Sequence, residues 1–221
     1  MDQEVFNITF LIIVLTSISS YQAIENPILK QKFLFRPTAI QERGEWLRFL
    51  THGLIHADWM HLILNMYVLY IFGIKVEAEF IEIFGATEGL ILYVLLYVLG
   101  LIASSIPSYL KHQGNSTYSA LGASGAVSGI LFAFIFFEPW KLLYLFFFVP
   151  LPALFLGIGY LWYSDYMAKQ NRDNIGHDAH FWGGVFGFLF IVVIMLVNAP
   201  EYISEFLGKL YNGLLITNHM H

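Results

Sequence analysis

Residues 176–200 read Gly-His-Asp-Ala-His-Phe-Trp-Gly-Gly-Val-Phe-Gly-Phe-Leu-Phe-Ile-Val-Val-Ile-Met-Leu-Val-Asn-Ala-Pro. From Ala179 to Pro200 the stretch holds no Asp, Glu, Lys or Arg, and it is long enough for a helix to cross a hydrocarbon core, which takes roughly 20 residues. Two features do not suit a helix that only faces lipid. His180 opens the window, and Gly183 and Gly187 follow it at i+3 and i+7, on its own helical face. A helix with glycines there can approach a neighbour closely and carry the histidine into contact with whatever that neighbour presents.

The rest of the chain agrees that lipid is its main solvent. Its 221 residues are 57% hydrophobic, 18% aromatic and only 12% charged, against about 45–50% apolar and roughly 25% charged in soluble domains. This composition argues against disorder. A net charge of −5 without a basic run argues against nucleic-acid binding, and the absence of cysteine against a disulfide scaffold. The same absence rules out thiol nucleophiles, zinc–thiolate sites and iron–sulfur clusters. Any catalysis must use Ser, His, Asp, Glu, Lys, Tyr or a non-thiolate metal.

Charge-free windows predict six spans in one membrane domain covering residues 1–221, with no internal repeat. They are Val5 to Ile24, a retained helix rather than a cleaved signal; Trp59 to Ile74, short and therefore partly enclosed in protein; Gly89 to Leu110; a helix from near Gly122 or Ala123 to Phe137; Leu142 to Ser164, weakened by Pro150, Pro152, Gly157 and Gly159; and Ala179 to Pro200. Between the first two lies a polar segment, Glu25 to Asp58, expected to fold at the interface with short helices of its own. The polar stretch before Gly122 reads as a loop dipping from the surface, and residues 201–221 as an amphipathic tail with Phe206, Leu207, Leu210, Tyr211, Leu214 and Leu215 at helical spacing. With six spans both termini share a side. Lys75, Lys141 and Lys209 then fall there and the other eight basic residues opposite, so the positive-inside rule would put the first loop in the cytoplasm.

Polar residues inside such windows are candidate functional residues. His52, His56 and His61 precede or enter the second span. His61 and Asn65 stack on one helix face and need inward partners, whereas His52 and His56 read as interfacial or hydrogen-bonded packing residues. Ser124, within Gly122-Ala-Ser-Gly-Ala-Val-Ser-Gly129, stands where the dipping loop becomes a helix, a place whose unpaired N–H groups and dipole favour developing negative charge. On its own, Gly125 with Gly129 reads equally as a small-residue packing seam. If that seam meets Gly183 and Gly187, His180 comes within hydrogen-bonding reach of Ser124, giving an alcohol beside a base. His61 and Asn65 would then supply donors to an oxyanion.

These residues resemble the rhomboid intramembrane serine proteases of the basic six-span, bacterial type. The resemblance rests on Trp46 and Arg48 in the first loop, on His56, His61 and Asn65, on Gly122-x-Ser124-Gly125, and on Ala179-His180-x-x-Gly183-x-x-x-Gly187, with a core of about residues 45–200. It implies an all-α membrane protein, a six-transmembrane-helix bundle with a folded interfacial first loop. It implies Ser124 as nucleophile and His180 as general base in a dyad, and an oxyanion held by Asn65, His61 and the Ser124 backbone N–H. The fifth span would be a lateral gate. No cofactor, metal or nucleic acid is implied. The partners would be the lipid bilayer and transmembrane protein substrates cut in or near their membrane segments, and the location the inner (plasma) membrane of a bacterium, with the N-terminus in the cytoplasm against the charge count.

The sequence departs from that pattern twice. Many members carry an aromatic residue four positions after the nucleophile, beneath the histidine; Ser128 stands there, leaving Tyr118, Phe132 or Trp182 to help. Trp46 and Arg48 are separated by Leu47 where adjacent residues are expected. Asp178, two residues from His180, points about 200° away on a helix and is expected at the surface, as is His177. Two rivals remain: a membrane metalloenzyme using His52 with His56 and His177 with His180, and an inactive rhomboid-like protein that binds membrane segments without cutting them.

Overall fold

The computed structural model describes residues 7–145, 148–170 and 176–218. The first helix, α1 (Ile8–Glu25), is capped by the Asn7 side chain, which accepts from the Phe10 N–H at 2.8 Å. Val5 and Phe6 of the first window lie outside the described residues.

The polar segment folds as expected into short helices: α2 (Pro27–Phe33), α3 (Pro37–Arg43), α4 (Arg48–Thr51) and a 3₁₀ turn at His52–Leu54. Arg48 holds it together from a buried position. Its guanidinium donates to the Leu34 carbonyl at 2.5 Å and the Gln31 carbonyl at 3.3 Å, and pairs with Glu45. Hydrogen bonds from the Arg43 and Arg48 guanidiniums hold the Glu45 carboxyl below the usual carboxylate range. Trp46 stacks on Phe49 and leans on Tyr109 of the Gly89–Leu110 span, so the loop rests on the bundle through aromatic rings.

The second span is longer than the charge-free window Trp59–Ile74 allowed. α5 (Trp59–Val68) passes through one π turn at Leu69–Gly73 into α6 (Ile74–Phe84), one continuous helical run across Lys75. Glu77 is tolerated there because it never meets lipid. Its buried carboxylate accepts from the Ile8 N–H at 2.7 Å, the Thr9 N–H at 2.9 Å and the Thr9 hydroxyl at 2.6 Å, closing the start of α1.

α7 (Ala86–His112) is the longest helix, and α8 (Ser124–Phe137) follows it inside the bundle. At 14 residues α8 spans only about 21 Å, and every residue from Gly125 to Phe137 is buried, because α7, the second span and two later helices, Ala153–Gln170 and His177–Asn198, surround it. The dipping loop occupies the depth that α8 leaves. Its backbone groups find partners: Ala120 exchanges two hydrogen bonds with Phe35, and Gly122 N–H reaches the His52 carbonyl at 2.9 Å.

The fifth window is corrected at its start. Leu142–Leu145 (β1) and Val149–Pro152 (β2) pair as antiparallel strands, with Leu142 opposite Pro152 and Tyr144 opposite Pro150. Two prolines in three residues remove the N–H groups a helix needs, whereas a two-stranded ribbon has only edges, where proline is tolerated. The helix, α9 (Ala153–Gln170), begins after them and runs past Ser164. α10 (His177–Asn198) and the tail α11 (Glu201–Asn218) complete the described residues. α11 docks on the far end of α8: Lys209 Nζ donates to the Phe137 carbonyl at 2.8 Å, the Trp140 indole donates to the Lys209 carbonyl at 2.7 Å, and Phe206 stacks on Phe136.

The result is an all-α membrane bundle. Among the described residues four helical runs are long and apolar enough to cross a bilayer, namely α1, α5–α6, α7 and α10, and α8 and α9 pack among them.

Candidate active site

The site forms where α8 and α10 begin. Gly122 has φ +114°, a conformation that costs an L side chain, and a Cβ there would come to 2.8 Å from the His61 ring. Glycine therefore turns the chain and leaves room for that imidazole. Ala123 follows as N-cap and Ser124 is the first residue of α8, half-buried, at the end where helical N–H groups have no intrahelical acceptor.

His56 fixes this turn from below. Its Nε2 faces the Ala123 N–H at 3.4 Å, and its Nδ1 lies 2.9 Å from Ser20 Oγ, which itself donates to the Leu54 carbonyl at 3.1 Å. These partners require a neutral ring with the proton on Nδ1. Burial and the neighbouring His61 agree, pushing His56 down to about 3. His52 is likewise buried, with Nε2 3.2 Å from Ser105 Oγ, and burial lowers it to about 4. Both histidines thus occupy the hydrogen-bonded packing positions expected of them.

His61 stands edge-on to His56 with ring centroids 4.9 Å apart, over Gly122. Asn65, one turn along α5, is buried and its Nδ2 donates to the His61 carbonyl at 2.9 Å. The shared inward face of these two residues is thus present.

Glycine contacts bring α10 against α8. A Cβ on Gly183 would come to 2.9 Å from the Gly125 Cα and closer to its carbonyl, and a Cβ on Gly187 would collide with Gly129. A Cβ on Gly125 would lie 3.4 Å from the Ala179 carbonyl, so the residue after Ser124 faces the residue before His180. His180 is half-buried in this angle.

A ring outside the three expected lies beside His180. Tyr160 of α9 stacks on it, with centroids 5.9 Å apart and planes 23° apart, and the Tyr160 hydroxyl lies 2.6 Å from Ser128 Oγ. Tyr118 stacks instead on His112, Trp182 lies against Phe181 and is partly exposed, and Phe132 tilts against Tyr160 itself. Nothing in the local sequence of α8 signals Tyr160; the only hint is Gly157 one turn before it, where α9 comes close to Ile135 and Phe132.

Asp178 turns away toward Lys111 at 3.6 Å, on the rim, as a surface residue does. His177 does not follow it. It is buried, edge-on to Tyr163 and to His180, each with centroids 5.8 Å away, because α9 covers that side of α10. Among the described residues no three His, Asp or Glu side chains gather as metal ligands, and His52 and His56 turn toward different helices.

Comparison with known proteins gives a match to the family model described as Rhomboid domain over residues 43–197, more than half of the chain. RHOMBOID-like protein 12, mitochondrial, of Arabidopsis thaliana is 30% identical over 172 residues, covering 71% of this chain and 50% of that protein. RHOMBOID-like protein 4 of the same plant is 29% identical over 215 residues, 87% of this chain and 49% of the relative. Rhomboid protease GluP of Bacillus subtilis (strain 168) is 28% identical over 193 residues, 80% of this chain and 34% of GluP. The chain thus spans half or less of the length of these relatives.

Proposed function

Because the chain belongs to the rhomboid family of multi-pass membrane proteins, we propose that it is a serine endopeptidase that cuts other membrane proteins in or near their transmembrane segments. The observation that carries this reading is the glycine contact of α8 with α10, which faces the turn of Ser124 toward the turn of His180.

In the proposed reaction His180 takes the proton from Ser124 Oγ as the oxygen attacks the scissile carbonyl carbon. The carbonyl oxygen becomes an oxyanion, held by the Ser124 N–H and by side-chain donors of His61 and Asn65. The proton on His180 passes to the leaving amine as the C–N bond breaks, leaving an acyl ester on Ser124. A water molecule, deprotonated by His180, then hydrolyses the ester and restores both groups. The Nδ1-protonated state of His56 supports this chemistry indirectly, because it keeps the Ala123 N–H bonded and the turn before Ser124 in place. Asp178 has no part in it. The bilayer is proposed to be a bacterial plasma membrane.

Labelling with a fluorophosphonate probe tests the assignment. Wild-type protein in detergent is expected to be labelled, and Ser124→Ala and His180→Ala to lose the label while keeping the same thermal unfolding midpoint. Labelling that persists in folded Ser124→Ala would refute it.

A further inference from the structure

His180 must hold one orientation while its charge changes, and a ring from another helix lies against its face. The Tyr160 ring lies nearly parallel to the imidazole, within the centroid range of aromatic pairs, and a ring face also favours an adjacent imidazolium. The Tyr160 hydroxyl is anchored in turn. It lies 2.6 Å from Ser128 Oγ, and the Ser128 hydroxyl donates to the Ser124 carbonyl at 2.8 Å. With Ser128 donating to that carbonyl, Tyr160 must donate to Ser128. One directed chain therefore runs from α9 to the backbone of Ser124, while the same tyrosine ring rests on His180. The approach of α9 is built in as well: a Cβ on Gly157, one turn before Tyr160, would collide with Ile135 of α8 and press on Phe132.

We propose that Tyr160 is a positioning residue for His180, supplied by the fifth span and seated by Ser128, so that the orientation of the base depends on α9 being packed against α8 and α10. The proposal rests on the Ser124–His180 reading above. It also accounts for serine at position 128: a larger side chain there would occupy the place of the Tyr160 hydroxyl.

The test is the rate of fluorophosphonate labelling as a function of probe concentration, for wild type, Tyr160→Phe, Tyr160→Leu and Ser124→Ala, with thermal unfolding of each in detergent. Tyr160→Leu keeps apolar volume but removes the ring, and is expected to lower the maximal labelling rate about tenfold, the scale of a lost aromatic pair, at an unchanged half-saturating concentration. Tyr160→Phe keeps the ring and is expected within about threefold of wild type. Should Tyr160→Leu fail to fold, Tyr160→Met makes the same comparison. A maximal rate in the folded Leu or Met variant equal to wild type, a loss equal in the Phe and Leu variants, or a change confined to the half-saturating concentration would overturn the role of Tyr160 while leaving the dyad standing. Failure of wild type to label, or labelling of Ser124→Ala, would overturn both.

Discussion

Gly183 and Gly125 meet backbone to backbone, so close that a methyl group on Gly183 would come to 2.9 Å from the Gly125 Cα and nearer still to its carbonyl. In a bilayer, where apolar surface gives little drive for helices to associate, such small-residue contacts supply the packing that holds two spans in register. Gly183→Ala is therefore expected to destabilise the fold by about 1–3 kcal/mol and to reduce labelling of Ser124 even in the folded fraction. Gly159→Ala is the matched control. Nothing lies within 4 Å of its added carbon, and alanine is the better helix former, so its unfolding midpoint is expected to equal or exceed wild type. Thermal unfolding in detergent compares the two directly.

Glu77 closes the N-terminus of α1 through three hydrogen bonds, and the Tyr93 hydroxyl lies 2.6 Å from Thr9 Oγ1 on the other side of that group. Glu77→Ala leaves the Ile8 and Thr9 N–H groups without their acceptor, while the Thr9 hydroxyl keeps Tyr93, a loss of about 2–4 kcal/mol. Thermal unfolding in detergent is expected to show this as a lowered midpoint relative to wild type.

The spans were readable from the spacing of charges wherever a charge meant water, and not where it meant a distant partner. Lys75 ended the second window because the sequence cannot show that Glu77, two residues on, faces residues 68 and 69 positions away. Pro150 and Pro152 were legible as helix weakeners, but whether proline bends a helix or ends it in a hairpin depends on the strand opposite, here Leu142–Leu145. At the candidate site, Ser124, His180, His61 and Asn65 stood out because each is polar in an apolar window. Tyr160 did not, since a tyrosine in a span is ordinary and His180 and Ser128, which it meets, lie 20 and 32 positions away in other helices.

Acid is expected to destabilise this protein through His52 and His56. Both are held neutral by burial, at about 4 and about 3, while the unfolded chain takes up protons near 6.5. Their contribution is full above pH 6.5 and is lost as pH falls from there toward 4 and 3, because the unfolded state binds the extra protons. The unfolding midpoint is expected to drop between pH 7 and pH 5. His56→Gln is expected to lower the midpoint at pH 7 and to flatten its fall with acid. A pH dependence as steep in His56→Gln as in wild type would show that the slope arises elsewhere.

The proposed activity is that Ser124 and His180 together break peptide bonds in membrane segments. Its most direct measurement is cleavage of a model transmembrane substrate by purified protein co-reconstituted in lipid vesicles, with the products identified by mass spectrometry. Wild type is expected to cut within or beside the membrane segment, Asn65→Ala to be roughly 10²-fold slower as for a lost oxyanion donor, and folded Ser124→Ala and His180→Ala to leave the substrate intact. Cleavage at the wild-type rate by either folded dyad variant would contradict the account.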